Sequence, residues 1–170
     1  MATKRLVLHD LPGETFERLA AGSGVTEFNA LPRVANCVGC FKCWYKTPGT
    51  CVTKDRAGVF PKLLAEHDEI LIVSRLVFGG FSPEVKAVLE RSLPFVLPFM
   101  SIRDGKTAHE RRRRNVFVLK TAFYGEGSGE TVCLAGRMTL ANSFNLGAER
   151  HESRYFPDAG TAELREFMES

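Results

Sequence analysis

One short segment restricts the possible folds of this chain more than any other. Residues 69–74, EILIVS, carry four consecutive apolar residues between polar neighbours. A run of this length that is rich in β-branched residues is typical of a strand buried on both faces, as in a parallel sheet. Parallel strands need long crossover connections, which are usually helices. The segment therefore favours an α/β fold.

The rest of the chain supplies the alternation that such a fold requires. Strands are also predicted over residues 4–10, 25–31 and 115–120 and within 144–155, and helices over 13–21, 56–67, 83–92, 130–143 and 161–169. This order predicts a three-layer α/β fold with a parallel sheet. Residues 32–55 are expected to form a structured loop, and residues 93–114 a long irregular stretch. The length of 170 residues indicates one domain over residues 1–170.

Charge and hydropathy exclude two classes of partner. The chain has 23 Lys and Arg against 20 Asp and Glu, a net charge of only +3, which does not support nucleic-acid binding. The run Arg111–Arg114 is explained by a solvated loop, with steering of an anionic cofactor such as NADPH as the alternative. No segment approaches the ~18 consecutive apolar residues of a membrane helix, and no signal peptide is recognisable, so a cytoplasmic location is expected.

Four of the five cysteines form the sharpest motif of the sequence, in the loop at residues 32–55. Their pattern is Cys37-x2-Cys40-x2-Cys43-x7-Cys51. In a reducing compartment such a cluster indicates metal binding or redox activity rather than disulfides. Four thiolates are the ligands that iron–sulfur clusters use. Zinc, which usually takes two separated pairs of ligands, and structural or redox-active thiols stay open as alternatives.

Two further segments follow predicted strands, at the sheet edge where parallel α/β proteins bind ligands. Residues 74–81, SRLVFGGF, contain two glycines whose backbone N–H groups can approach a planar ligand. In this hypothesis Phe78 and Phe81 cover the rings of a flavin. Residues 121–129, TAFYGEGSG, are predicted to form a second loop at the same edge. Plain strand-to-helix turns are the alternative for both segments.

Together these motifs resemble the flavodoxin-like NAD(P)H-dependent FMN reductases, and within them the branch of the iron–sulfur flavoproteins. The cysteine motif with Lys46–Gly49, then residues 74–80, 82–86 and 89–91, carry the similarity. The resemblance implies a flavodoxin-like fold with a five-stranded parallel sheet of order 2-1-3-4-5. It also implies FMN at the strand ends, NAD(P)H as reductant, and a [4Fe–4S] cluster on Cys37, Cys40, Cys43 and Cys51.

By position, the resemblance implies that two sets of residues hold the isoalloxazine ring. They are Arg75, Leu76, Val77, Phe78, Gly79 and Gly80 on one side, and Thr121, Ala122, Tyr124 and Gly125 on the other. It identifies no catalytic side chain, because the flavin itself carries the reaction. It further implies a homodimer or homotetramer that completes the flavin site, and leaves open a small molecule or a protein as electron acceptor.

The first loop departs from the family pattern. The family uses a loop rich in Ser, Asn and Thr to hold the FMN phosphate at a helix N-terminus. Here residues 9–15 read HDLPGET, so Asp10 and Glu14 would face the phosphate dianion and Pro12 lacks an N–H donor. Arg75 stands where the family usually has Pro, and we hypothesise that it replaces some of the lost phosphate contacts.

Two functions follow from these observations. The first is an FMN-dependent NAD(P)H oxidoreductase or electron-transfer flavoprotein. The alternative is a flavodoxin-like domain with a degenerate phosphate loop that acts as a non-catalytic binding or assembly module.

Overall fold

Seven strands and six helices follow one another in the computed structural model, which describes residues 3–170. In chain order they are β1 (Arg5–His9), α1 (Gly13–Leu19), β2 (Thr26–Asn29), α2 (Lys42–Tyr45), α3 (Phe60–Glu66), β3 (Glu69–Arg75), α4 (Pro83–Glu90), β4 (Val96–Arg103), β5 (Lys106–Arg111), β6 (Val118–Tyr124), α5 (Gly129–Leu146), β7 (Arg150–Phe156) and α6 (Ala162–Glu169). Short 3₁₀ turns, Arg56–Val59 and Leu93–Phe95, precede α3 and β4.

Five of the strands form one parallel sheet in the order β2-β1-β3-β6-β7. Counted among themselves, these strands have the order 2-1-3-4-5, so the predicted flavodoxin-like topology is confirmed. The central strand β3 is buried from Glu69 to Ser74. Its apolar run therefore lies between two layers of helices, as its composition predicted.

Alternate residues of the strands enter two separate apolar cores. On one face Leu8 and Ile72 pack with the helices α3, α4 and α5. On the other face Val7 and Leu71 pack with α1 and α6. Because side chains alternate across a strand, β1, β3 and β6 contribute to both cores, and the sheet becomes the middle of three layers.

The helices begin at residues that suit helix N-termini. The Ser82 hydroxyl accepts a hydrogen bond from the Val85 N–H at 3.2 Å, and Thr161 caps α6 in the same way. Ser128 and Thr131 form a reciprocal capping box at the start of α5. This helix continues to Leu146, beyond its predicted end, so β7 begins only at Arg150.

The prediction of an irregular stretch over residues 93–114 was wrong, because β4 and β5 form an antiparallel hairpin there. Its turn is Asp104–Gly105, both with positive φ (49° and 75°), which is the two-residue turn that best fits the twist of a hairpin. The hairpin register shifts between Val96 and Met100, where Pro98 lies. This irregularity accommodates a residue that has no N–H to donate.

Two smaller predictions also needed correction. The loop at residues 32–55 contains the short helix α2, and residues 56–67 divide into a 3₁₀ turn and α3. Within residues 3–170, no helix is both long enough and apolar enough to cross a membrane.

Candidate functional site

The carboxyl ends of β1, β3 and β6 lie side by side at one edge of the sheet. Arg75 and Tyr124 are the last residues of β3 and β6, and Gly125 follows directly. Thr121 and Ala122, by contrast, lie inside β6 and are buried; the Thr121 hydroxyl is hydrogen-bonded to Thr139 at 2.8 Å. Of the second predicted set, only Tyr124 and Gly125 therefore reach the edge.

Asp10 joins these three strand ends. Its carboxylate accepts hydrogen bonds from the Arg75 N–H at 3.1 and 3.2 Å and from the Tyr124 hydroxyl at 3.0 Å. Burial raises the pKa of Tyr124, and the negative charge of Asp10 raises it further, so the phenol remains a donor. The sequence predicted only that Asp10 would repel a phosphate. Its structural role depends on neighbours that are 65 and 114 residues away along the chain.

His9 closes the first loop from the inside. Its Nδ1 accepts a hydrogen bond from the Leu11 N–H at 3.1 Å, so Nε2 carries the proton and donates to Glu27 at 3.0 Å. Its ring stacks on Phe16 at 4.0 Å between centroids. Burial lowers the pKa of His9 despite the carboxylate of Glu27. The buried imidazole is therefore neutral at physiological pH.

These contacts decide whether the first loop fits the phosphate of FMN. The N–H groups of Asp10 and Leu11 already donate to Val73 and His9. The following helix α1 has only seven residues and starts after Pro12, with no side-chain cap. The N–H groups of Gly13, Glu14 and Thr15 donate to no acceptor within residues 3–170. With two of its N–H groups occupied and the carboxylates of Asp10 and Glu14 in the same loop, the segment is nevertheless a poor fit for a phosphate dianion.

The segment after β3 forms a tight turn. Val77 and Gly80 exchange backbone hydrogen bonds at 3.0 and 2.9 Å, and Phe78 and Gly79 between them have positive φ (50° and 78°). A Cβ on Gly79 would lie 2.7 Å from the Leu134 side chain, so only glycine allows this approach to α5. The Phe78 side chain is 96% exposed.

The tip of this turn is formed by Phe78 and Gly79. Neither N–H group donates to an acceptor within residues 3–170. A bulky residue with positive φ is strained, and such strain concentrates at functional sites. The turn thus presents an exposed aromatic ring beside two N–H groups without acceptors, of which that of Gly79 belongs to a buried residue.

The cysteine loop is fixed at both ends by one buried arginine. Arg91, at the end of α4, is 1% exposed and donates to the backbone carbonyls of Ala35 and Thr53 at 3.1 and 3.0 Å. Its guanidinium also makes two hydrogen bonds to the Asp55 carboxylate, at 2.8 and 2.9 Å. The segments before Cys37 and after Cys51 are therefore held together by a single side chain.

The thiols lie near one another. Burial raises the pKa of Cys43, and the thiols of Cys51, Cys37 and Cys40 raise it further. The buried Arg91 Nε has no hydrogen-bond acceptor within residues 3–170, and Cys51 lies beside the Arg91 guanidinium. A thiolate or a sulfide would satisfy this donor.

The cysteine loop has the ligand types of an iron–sulfur site but not the arrangement of one. Four thiols are a suitable ligand set for an iron–sulfur cluster. However, no three Cys, His, Asp or Glu side chains of residues 3–170 are grouped so as to hold a metal ion. Ligation would therefore require the loop between Arg91's two anchor points to bring the thiols closer together.

Sequence comparison finds one partial relative of known type. No family model matches the chain. An iron–sulfur flavoprotein of Methanocaldococcus jannaschii is 32% identical over 88 residues, which are 51% of this chain and 45% of that protein. The match thus spans less than half the length of this relative.

Solved structures match almost the whole chain at low identity. An azoreductase from Bacillus anthracis superposes with a TM-score of 0.57 at 14% identity, over 99% of this chain and 95% of that one. An NAD(P)H:quinone oxidoreductase from Methanothermobacter marburgensis gives a TM-score of 0.55 at 10% identity, over 98% and 93%. An FMN-dependent NADH-azoreductase of Bacillus anthracis, solved with FMN, gives 0.54 at 11% identity, over 91% and 86%. The chain has the flavodoxin-like fold of these reductases.

Proposed function

We propose that this chain is an FMN-dependent NAD(P)H oxidoreductase that passes electrons to a small molecule or to a protein. The exposed ring of Phe78 on the tight turn after β3, at the edge where parallel sheets bind ligands, is the observation that carries this proposal. The flavodoxin-like fold and the partial similarity to an iron–sulfur flavoprotein support it.

The chain's own residues would hold and orient the flavin. When bound, FMN supplies hydride acceptance from NAD(P)H and onward electron transfer. Phe78 would cover the ring, the N–H groups of Phe78 and Gly79 would donate to its polar edge, and Tyr124 with Gly125 would form the opposite wall. The exposed guanidinium of Arg75 would add positive charge there. The Tyr124 hydroxyl would keep its proton, and its hydrogen bond to the Asp10 carboxylate would hold this wall in position.

A [4Fe–4S] cluster on Cys37, Cys40, Cys43 and Cys51 is the second part of the proposal. The thiol-only donor set and the free Nε of Arg91 beside Cys51 support it. We also propose assembly as a homodimer or homotetramer. The exposed Leu134 and Leu140 on α5, together with Phe78, would supply apolar contact area near the turn.

The first test is anaerobic purification, followed by a visible absorption spectrum, iron and sulfide analysis, and titration with FMN. Two flavin bands that NAD(P)H bleaches are expected. Phe78→Ala should weaken FMN binding, and Phe99→Ala, which removes an exposed ring from β4, should leave it unchanged. A protein that stays colourless after incubation with FMN and iron would refute the proposal.

The first loop favours a second candidate, a flavodoxin-like module that binds or assembles without a flavin. The Asp10 carboxylate occupies the edge with its own hydrogen bonds, and the N–H groups of Asp10 and Leu11 are already used. This candidate predicts no flavin bands and no change on adding NAD(P)H. Tight FMN binding by the unmodified chain would exclude it.

A further inference from the structure

A cleft on the β4–β5 hairpin has no place in the function proposed above. It measures about 200 Å³ and is lined by side chains of the hairpin and of the segment that follows it: Ser101, Arg103, His109, Glu110, Arg111 and Arg114. Three of these six residues are arginines. The cleft thus concentrates positive charge in a chain whose net charge is only +3.

None of the three guanidiniums is neutralised by the described part of the chain. No carboxylate of residues 3–170 lies within 4.0 Å of Arg103, Arg111 or Arg114. Burial lowers the pKa of Arg111, and the charges of Arg103 and Arg114 lower it further. Neighbouring like charges cost free energy unless an anion lies between them.

The fold nevertheless holds two of these arginines in place. Arg103 Nη2 donates to the Phe144 carbonyl at 2.9 Å, and Arg111 Nη1 donates to the Asn115 carbonyl. Both side chains pack on Gly147, where a Cβ would lie 2.8 Å from either of them. The negative end of α5 explains part of this arrangement. It does not account for Arg114, which lies exposed at the opening.

Two residues that line the cleft each have a buried nitrogen without a partner. Arg103 Nε and His109 Nδ1 are buried and make no hydrogen bond within residues 3–170. Buried polar nitrogens are normally satisfied, so each unsatisfied one requires an explanation. Because almost none of their surface is accessible, an anion in the cleft would contact the other guanidinium nitrogens instead.

We propose that this cleft binds a phosphate dianion, with the three guanidiniums and the Ser101 hydroxyl as donors. Guanidinium groups match phosphate oxygens in pairs of hydrogen bonds, and three of them favour a doubly charged ion over a single carboxylate. The volume suits a phosphate group rather than a whole dinucleotide. The Glu110 carboxylate, on the same lining, opposes anions and limits the affinity. This site is independent of the flavin proposal.

Two adjacent arginines provide a matched test. Arg114 lines the cleft, whereas Arg113 lines a different one, beside Pro94 and Lys62, and both side chains are exposed. Either change to Gln removes one charge from the same segment without disturbing the core. Calorimetric titration of the full chain with inorganic phosphate, at constant ionic strength in chloride, should show binding that Arg114→Gln weakens about tenfold. Arg113→Gln should leave it unchanged.

Further arms of the experiment identify the source of the phosphate. Displacement of phosphate by NADPH but not by NADH would show that the cleft takes a phosphate monoester of a nucleotide. Displacement by neither would show that it takes the free ion. Glu110→Gln should strengthen phosphate binding. Absence of binding by the unmodified chain, or equal weakening in the Arg113 and Arg114 variants, would overturn the proposal.

Discussion

The guanidinium of Arg91 makes two hydrogen bonds to the carboxylate of Asp55, at 2.8 and 2.9 Å, beneath the cysteine loop. Burial opposes the ionisation of Asp55, but hydrogen bonds from Arg91 and from the N–H groups of Ala35 and Ala57 outweigh it and lower the pKa. Because Arg91 also binds the carbonyls of Ala35 and Thr53, this ion pair closes the base of the loop.

Arg91→Met is therefore expected to destabilise the fold strongly. The substitution leaves the Asp55 carboxylate and two backbone carbonyls without their donor, and breaking a buried pair costs about 3 kcal/mol or more. Urea unfolding should show this loss of unfolding free energy. The control is Lys86→Met on the same helix, whose partner Glu90 is 3.6 Å away at the surface. It should change stability by no more than about 0.5 kcal/mol, and an equal loss in both variants would contradict the role of Arg91.

A pH dependence follows from His9. Its pKa is lower in the folded chain than in the unfolded one, because burial disfavours the charged ring. The unfolded chain therefore binds more protons, and stability is full above the unfolded pKa of about 6.5 and falls as the pH drops below it. Urea unfolding at about pH 7.5 and about pH 5.5 should show this loss.

A substitution isolates the His9 contribution. His9→Asn keeps an acceptor for the Leu11 N–H and has no titrating ring, so the loss of stability between the two pH values should shrink. His151→Asn, at an exposed position of β7, should leave that loss as it is in the unmodified chain. If the His9 variant loses as much stability between the two pH values as the unmodified chain, a group other than His9 causes the loss.

The sequence predicts the strands and helices of the parallel sheet because their signals are local, whereas the strand order was implied only by the resemblance to a family. The apolar run of β3 and the caps Ser82 and Thr161 mark elements that the structure confirms. The hairpin was missed although Asp104–Gly105 is a strong turn signal. Pro94 and Pro98, which are unusual in strands, interrupt the pattern before that turn. The correct turn residues outweigh two prolines in a two-stranded sheet that tolerates an irregular register.

The candidate sites were less predictable, because their contacts are not local. Arg91 contacts residues 36, 38 and 56 positions away, so no spacing rule could connect it with the cysteine loop. A loop was predicted to begin at Thr121, but β6 continues to Tyr124, and Thr121 is buried within it. Phe78 was predicted to lie at the ligand edge of the sheet, but its positive φ and its exposure are visible only in the structure.

Phe78→Asn is expected to make the fold more stable and the flavin site weaker. Asn tolerates positive φ, and Asn followed by Gly is the preferred pair for this turn, so the unfolding free energy should rise by about 1 kcal/mol. The loss of the exposed ring should reduce the affinity for FMN. Phe99→Asn on β4 offers no such relief and should not stabilise the chain. If the Phe78 variant binds FMN as tightly as the unmodified chain, the isoalloxazine ring does not bind against Phe78.

Asp10→Asn tests what closes the first loop. The amide keeps an oxygen acceptor for Arg75 N–H or the Tyr124 hydroxyl, but replaces charge-assisted hydrogen bonds with neutral ones, at a cost of about 1 kcal/mol in stability. Removing the negative charge should raise the affinity for FMN about tenfold, since the phosphate of the cofactor would no longer face a carboxylate. Titration of flavin fluorescence measures this directly.

Glu14→Gln serves as its control, because it removes a negative charge from the same loop at an exposed position. Glu14 lacks the hydrogen bonds that Asp10 makes to two strand ends. The loss of stability and the gain in FMN affinity should therefore both be smaller for Glu14→Gln than for Asp10→Asn. Unchanged FMN affinity in the Asp10 variant would show that the phosphate does not approach the end of β1. In that case the loop closed by His9 and Asp10 serves only to fasten β1, β3 and β6 together.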